Sequence, residues 1–172
     1  MRDDEIREAL EKHHTASYGW ALHCCDGDPG EAEDVLQIAY LEVLDGRARF
    51  AGRSRFRTWL FSVIRNTAAG RRRRRYLRAA LLLRRGEEVP QPRAGAPADQ
   101  LADRGTLQRL LRAALDTLPR RQREILMLTF YHDMTIAAAS ETLGISLGSA
   151  RTHYHRGKEK LRAKLEQSVD GR

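Results

Sequence analysis

Apolar residues recur at three- and four-residue steps along most of this chain, a spacing that predicts helices. From Asp3 to about Cys25, Ile6, Leu10, His13, Ser17 and Trp20 or Ala21 share a stripe. Asp26-Gly27-Asp28-Pro29-Gly30 reads as a turn, with Pro29 suited to the first turn of the next helix and Asp28 to its cap. That helix, from about Glu31 to Leu44, buries Ala32, Val35, Leu36, Ala39 and Val43. Asp45 to Ser54 is loop-like, punctuated by Gly46 and Gly52. A third helix starts near Ser54, read as its cap. Phe56, Trp59, Leu60, Val63 and Thr67 form its inner face, which makes Trp59 a core residue, and Thr58, Ser62, Arg65 and Ala69 face outward.

The segment 86–99 lacks hydrophobic periodicity and holds three of the five prolines, so it reads as a flexible linker. Helical spacing returns from Leu101 to Leu118 through Leu107, Leu110, Leu111, Ala114 and Leu115. Pro119 stops that helix and opens a short one, Arg120 to Tyr131, burying Ile125, Leu128 and Thr129 or Met127. The expected fold is all-α. A three-helix domain over 1–85 is joined by the linker 86–99 to a four-helix domain over 100–172.

The last two helices, between Thr135 and Leu165, meet at Gly144-Ile145-Ser146. A glycine there supplies positive φ, and Ser146 caps the following helix. So short a turn forces a steep crossing, the helix-turn-helix signature. In the second helix Leu147, Ala150, Tyr154, Leu161 and Leu165 face inward. Gly148, Ser149, Thr152, His155 and Arg156 face outward, where base edges would lie, and Arg151 and Lys158 flank them, where phosphates would lie.

Charge sharpens this picture. The net charge is +8 and the pI about 10.1, a balance that points to nucleic acid. The loop carries Arg47, Arg49 and Arg53 around Phe50, a residue placed either to stack on a base or to pack. From Arg65 to Arg85 there is no Asp or Glu, and Arg71 to Arg75 run consecutively, so the segment repels itself unless an anion is near. The outer face of the Glu31–Leu44 helix differs. Asp34, Gln37, Ile38, Leu41 and Asp45 form an apolar pair ringed by acids, which suits a docking surface.

Other chemistry finds little support. Cys24 and Cys25 are the only cysteines and are adjacent, so no disulfide framework exists. Neither they nor the histidines show the spacing of a zinc site, and no metal or cofactor is expected. Carboxylates are dispersed rather than gathered for metal-dependent cleavage, so the chain does not read as an enzyme. No apolar run is long enough for a bilayer span, and the acidic start is no signal peptide, which places the chain in the cytoplasm without membrane insertion.

Two blocks in order make the pattern more specific. AEDVLQIAYLEVL followed by SRFRTWLFSVIRNTAAGRRRRR resembles region 2 of the group IV, extracytoplasmic-function (ECF) sigma factors of bacterial RNA polymerase. LPRRQREILMLTFY followed by LGISLGSARTHYHRGKEKLR resembles their region 4. The resemblance implies that Asp34, Gln37, Ile38 and Leu41 dock on core RNA polymerase. It implies that Phe50, Arg53, Ser54, Arg55, Arg57, Arg65, Asn66, Arg72 and Arg73 open and hold the melted −10 element. Ser149, Arg151, Thr152, His155, Arg156 and Lys158 then read the duplex −35 element. It also implies control by an anti-sigma factor. The chain departs from the family at Ile38, where an acid is common. It departs again at Ala138-Ala139-Ser140 and Ala150, which shrink the core between the last two helices. The alternative is a self-sufficient helix-turn-helix regulator of duplex DNA, which leaves the upstream basic tract without a task.

Overall fold

The computed structural model describes residues 1–85 and 106–170, with side chains over 1–85 and 110–167. The proposed linker 86–99 and Leu101 fall outside that description, as does the side chain of Leu107. All regular structure in the described residues is helical, and the chain divides into two compact units, Met1–Asp99 and Gln100–Arg172.

In the first unit the expected opening helix is two, α1 (Asp3–Lys12) and α2 (His14–Cys24). The chain bends at His13, where ψ is 5°, and the His13 ring stacks on Phe56 at 6.2 Å. Helix α3 (Pro29–Leu44) begins as its sequence dictates. Pro29 occupies its first turn, and Asp28 Oδ1 accepts from the Glu31 backbone N–H at 3.1 Å. Its buried residues are Ala32, Val35, Leu36, Ala39 and Val43, the stripe read from spacing.

Helix α4 (Phe56–Arg84) is rotated about its axis from the expected orientation. Ser54 does not cap it. Arg55 holds the cap position without a side-chain hydrogen bond, and the Ser54 hydroxyl donates to the Arg55 carbonyl instead. The buried residues are Thr58, Leu60, Phe61, Ile64 and Ala68. Thr58 therefore points inward, and Trp59 is only half-buried. Phe61 decides the rotation. Its ring lies parallel to Trp20 at 5.8 Å, and the Trp20 Nε1–H donates to its carbonyl at 3.0 Å. His23 also stacks on Trp20 at 5.3 Å, and the indole is wholly buried. Two residues apart on a helix, Phe61 and Trp59 cannot both face the same neighbour, and Phe61 is the one that meets Trp20.

Among the described residues the second unit holds four α-helices: α5 (Thr106–Asp116), α6 (Arg120–Leu126), α7 (Ile136–Leu143) and α8 (Leu147–Asp170). Helix α6 does not run evenly to Tyr131 but widens into a π-helical turn over Met127–Tyr131. Ile125, Leu126 and Leu128 are buried, whereas Leu111 stays 38% exposed, outside the core that its spacing suggested. Glu124 is buried and answered by Arg120 and Arg121, each at 3.1 Å. Gly157 of α8 is also buried, and a Cβ on it would meet Leu126 Cδ1 at 3.1 Å, so α6 and α8 approach closely there.

Candidate nucleic-acid and partner-binding surfaces

The turn between α7 and α8 is built from three local preferences. Thr135 accepts from the Ala138 N–H at 3.1 Å to start α7. Gly144 ends it at φ 62°, the left-handed conformation that glycine adopts without strain. Ser146 Oγ then accepts from the Ser149 N–H at 3.1 Å, opening α8. Ala139, Ser140 and Ala150 are all buried at the crossing. Small side chains thus fill the seam between the two helices.

The outer face of α8 stands in solvent. Gly148, Ser149, Thr152, His155 and Arg156 are exposed, as are Arg151 and Lys158. Ser149 already accepts from the Ser146 hydroxyl, and Thr152 donates to the Gly148 carbonyl, so both hydroxyls keep acceptor capacity for a ligand. The inward set needs one correction. Leu147 is 38% exposed, because it lies at the helix start before the crossing closes. Tyr154 is half-buried against Phe130 at 5.9 Å, with Lys158 Nζ 5.5 Å from its ring centre. Lys158 is thus held beside the face by a cation–π contact.

In the first unit, Phe50 folds back from the loop onto Trp59 and Phe56, with ring centres 5.2 and 5.4 Å away. Phe56 and Trp59 lie 5.3 Å apart, and all three rings are half-buried. The rotation of α4 that removed Trp59 from the core placed it in this cluster. Arg53 and Arg55 are exposed beside it, Ser54 and Arg57 half-exposed, and Asn66 and Arg73 exposed further along α4. Half-open aromatics rimmed by guanidinium groups can take an unstacked base and its phosphates.

The arginine tract is less free than its sequence suggests. Arg71 Nη2 donates to Asp34 Oδ2 at 2.9 Å and also reaches Glu31, and Arg75 lies 3.4 Å from Glu31. The missing acids are supplied by α3, not by α4. Burial acts to lower the Arg71 pKa, yet Glu31 and then Asp34 leave it raised. Arg72, assigned to DNA from sequence, donates to the Cys24 carbonyl at 3.4 Å and helps close the end of α2. Arg65 is half-exposed. The pairs were legible only from two helices together: Glu31 and Asp34 are one turn apart on α3, as Arg71 and Arg75 are on α4.

The residues expected to dock lie together on the outer face of α3. Asp34, Gln37 and Leu41 are exposed, Leu41 by 53%, and Ile38 is half-exposed. Its acids are committed within the chain. Asp34 bonds Arg71, and Asp45 bonds Arg47 at 2.6 Å. What the face offers freely is mostly apolar, and it continues to Leu44, 43% exposed.

Burial, then Glu31, Asp26 and Asp28, push the Cys25 thiol up to about 11, so it stays protonated. Among the described residues no cluster of His, Cys, Asp or Glu is placed to hold a metal ion, and no helix is long and apolar enough to cross a membrane.

Known proteins carry the same two blocks. The family model for sigma-70 region 2 matches residues 9–78, and that for sigma-70 region 4 matches residues 108–161. Over 134 residues the chain is 34% identical to the RNA polymerase sigma factor CarQ of Myxococcus xanthus, spanning 78% of this chain and 74% of that one. Over 141 residues it is 31% identical to the ECF RNA polymerase sigma factor SigX of Bacillus subtilis, spanning 81% and 73%. Among solved structures it resembles the sigma factor RpoE in complex with the anti-sigma factor NepR from Bartonella quintana. The TM-score is 0.71 at 20% identity, over 94% of this chain and 97% of that one. It also resembles CnrH in complex with the cytosolic domain of CnrY, with a TM-score of 0.66 at 22% identity, over 96% and 90%. At these identities the two structures speak to the fold alone.

Proposed function

The chain belongs to the ECF group of the sigma-70 family of RNA polymerase sigma factors, and from that premise we propose a division of labour among its surfaces. Residues 1–85 dock on core RNA polymerase through Asp34, Gln37, Ile38 and Leu41. The same unit holds the melted −10 strand on the aromatic cluster with Phe50, Arg53, Ser54, Arg55, Arg57, Arg65, Asn66 and Arg73. Arg72 contributes there chiefly by fixing α2 against α4. Residues 86–99 link the units, and residues 100–172 read the duplex −35 element with Ser149, Arg151, Thr152, His155, Arg156 and Lys158.

The observation that carries this reading is the helix-turn-helix face of α8. A helix capped by Ser146 presents small hydrogen-bonding groups first and basic groups after them, all exposed. That order suits entry of a helix N-terminus into the major groove. Opening the duplex needs no covalent chemistry. Unstacking a base costs a few kcal/mol, which a stacking cluster and phosphate contacts recover. The protein acts in the cytoplasm as a transcription initiation factor rather than an enzyme, needs no cofactor, and is held inactive by an anti-sigma partner.

In vitro transcription with core polymerase, followed by mapping of start sites, tests the reading. Defined starts that need both core enzyme and this chain are expected. Specific duplex binding by the chain alone, with no initiation when polymerase is added, would instead mark a self-sufficient helix-turn-helix regulator.

A further inference from the structure

Arg71, Arg74, Arg75 and Arg78 stand at i, i+3, i+4 and i+7 on α4, so they form one stripe along the helix. It is not the face that carries Asn66 and Arg73. The two halves of the stripe are in different states. Arg71 and Arg75 are answered by Asp34 and Glu31, while Arg74 and Arg78 are exposed and make no ion pair among the described residues. The inner contacts are unequal. The bond from Arg71 to Asp34 is 2.9 Å, whereas those to Glu31 are 3.4 and 3.5 Å, at the outer limit of hydrogen bonding.

Asp34 is also the accessible partner. Its side chain is 57% exposed against 30% for Glu31, and it lies on the outer face of α3 with Gln37 and Leu41. A cation approaching that face can take Asp34, which leaves Arg71 with only long contacts. The freed guanidinium then extends the row begun by Arg74 and Arg78. Arg71, Arg74 and Arg78 over two turns span about 10 Å, enough to follow several phosphates along one DNA strand.

We propose that this stripe is a DNA-backbone site, distinct from the residues assigned to the −10 strand. Its innermost residue, Arg71, is masked by Asp34 in the free chain and is unmasked when core polymerase occupies Asp34, while Arg75 stays with Glu31. The masking is a property of the free chain. The unmasking rests on the reading of Asp34 as a docking residue. By linkage, a strand that binds the unmasked stripe strengthens polymerase binding by the same factor.

The test is fluorescence anisotropy of a labelled oligodeoxynucleotide, single-stranded and duplex, titrated with the full chain over a range of salt. Arg74→Gln with Arg78→Gln should weaken binding about fivefold or more and lower the salt slope by roughly two phosphates. Asp34→Asn should tighten binding about threefold and steepen the slope by about one. Glu33→Gln removes the same charge from an exposed position on the same helix and should do less than half as much. The Asp34→Asn gain should vanish when Arg71→Gln is added. Equal gains from Asp34→Asn and Glu33→Gln, or a gain that survives Arg71→Gln, would show a general field effect and overturn the masking. An unchanged slope in the Arg74 and Arg78 variant would overturn the site itself.

With core polymerase at a concentration that saturates both, wild type and Asp34→Asn should bind the strand equally, since both are unmasked. If Asp34→Asn instead leaves polymerase affinity untouched, the docking role of Asp34 fails, and with it the unmasking. The free-chain result stands or falls on its own.

Discussion

Asp34 on α3 and Arg71 on α4 share a 2.9 Å hydrogen bond, which joins a residue read as a polymerase contact to a tract read as a DNA contact. The acid on the docking face is thereby partly neutralised before any partner arrives. The apolar residues beside it are not so engaged, and buried apolar anchors commonly carry most of an interface's energy. Leu41→Asp should therefore lower affinity for core polymerase by about tenfold or more, and Asp34→Asn by less. Because Leu41 is 53% exposed, the fold should change by less than about 0.5 kcal/mol. Pull-down of core enzyme at graded salt, with circular dichroism as the fold control, reads both. A larger loss from Asp34→Asn would return the docking energy to charge.

The enclosed indole of Trp20 makes the first unit sensitive at one point. Trp20→Ala should cost about 3–5 kcal/mol, since it removes a large buried side chain stacked on His23 and Phe61. Trp20→Phe keeps the stacking but loses the bond to the Phe61 carbonyl, and should cost about 1–2 kcal/mol. Urea unfolding of the full chain measures both. Equal losses would mean that the hydrogen bond both variants lose, and not the buried volume, sets the cost.

Gly157 sets the approach of α6 and α8. A Cβ there already meets Leu126 at 3.1 Å, so Gly157→Leu should destabilise the second unit by about 1–3 kcal/mol. The variant should also weaken −35 binding, because α8 must lift from α6. Thermal unfolding together with a duplex-binding assay in the holoenzyme checks the pair of effects. Unchanged stability would show that the seam yields easily.

Arg156 tests the reading face directly. It is exposed on α8 beside His155, so Arg156→Ala should leave the fold and core-polymerase binding intact. Binding to −35 duplex by the holoenzyme should fall by about tenfold. Competition with a duplex of scrambled −35 sequence separates base reading from phosphate contact. A uniform loss on both duplexes would make Arg156 a backbone contact.

His13 gives the first unit a pH dependence of known sign. Its pKa is lowered from 6.5, chiefly by burial and then by Arg57 and Lys12. The unfolded chain therefore takes up this proton first as pH falls. The contribution is complete above about pH 6.5 and is lost as pH falls from there through the lower folded value. Stability measured across that window should slope downward toward acid, and His13→Gln should flatten the slope. An identical slope in the variant would assign it to other groups.

Much of this protein was legible without coordinates, because its cues are local. The stripe of α3, the cap at Asp28, the left-handed Gly144 and the Ser146 cap each depend on residues within a turn or two of one another. The exposed face of α8 follows from the same periodicity. What local pattern left open was rotation and pairing. Either Trp59 or Phe61 could have faced inward on α4. The choice was made by Trp20, 41 residues before Phe61, through a ring stack and a hydrogen bond that exist only once α2 lies against α4. Likewise the arginine tract has no acid of its own, and only the packing of α3 beside α4 brings Glu31 and Asp34 to it. Helix formation is governed by near neighbours, so sequence alone determined most of the elements, though not the break at His13 or the π-helical turn over Met127–Tyr131. Which face is buried and which charge is free depend on partners distant in the chain, and those were decided by the tertiary structure.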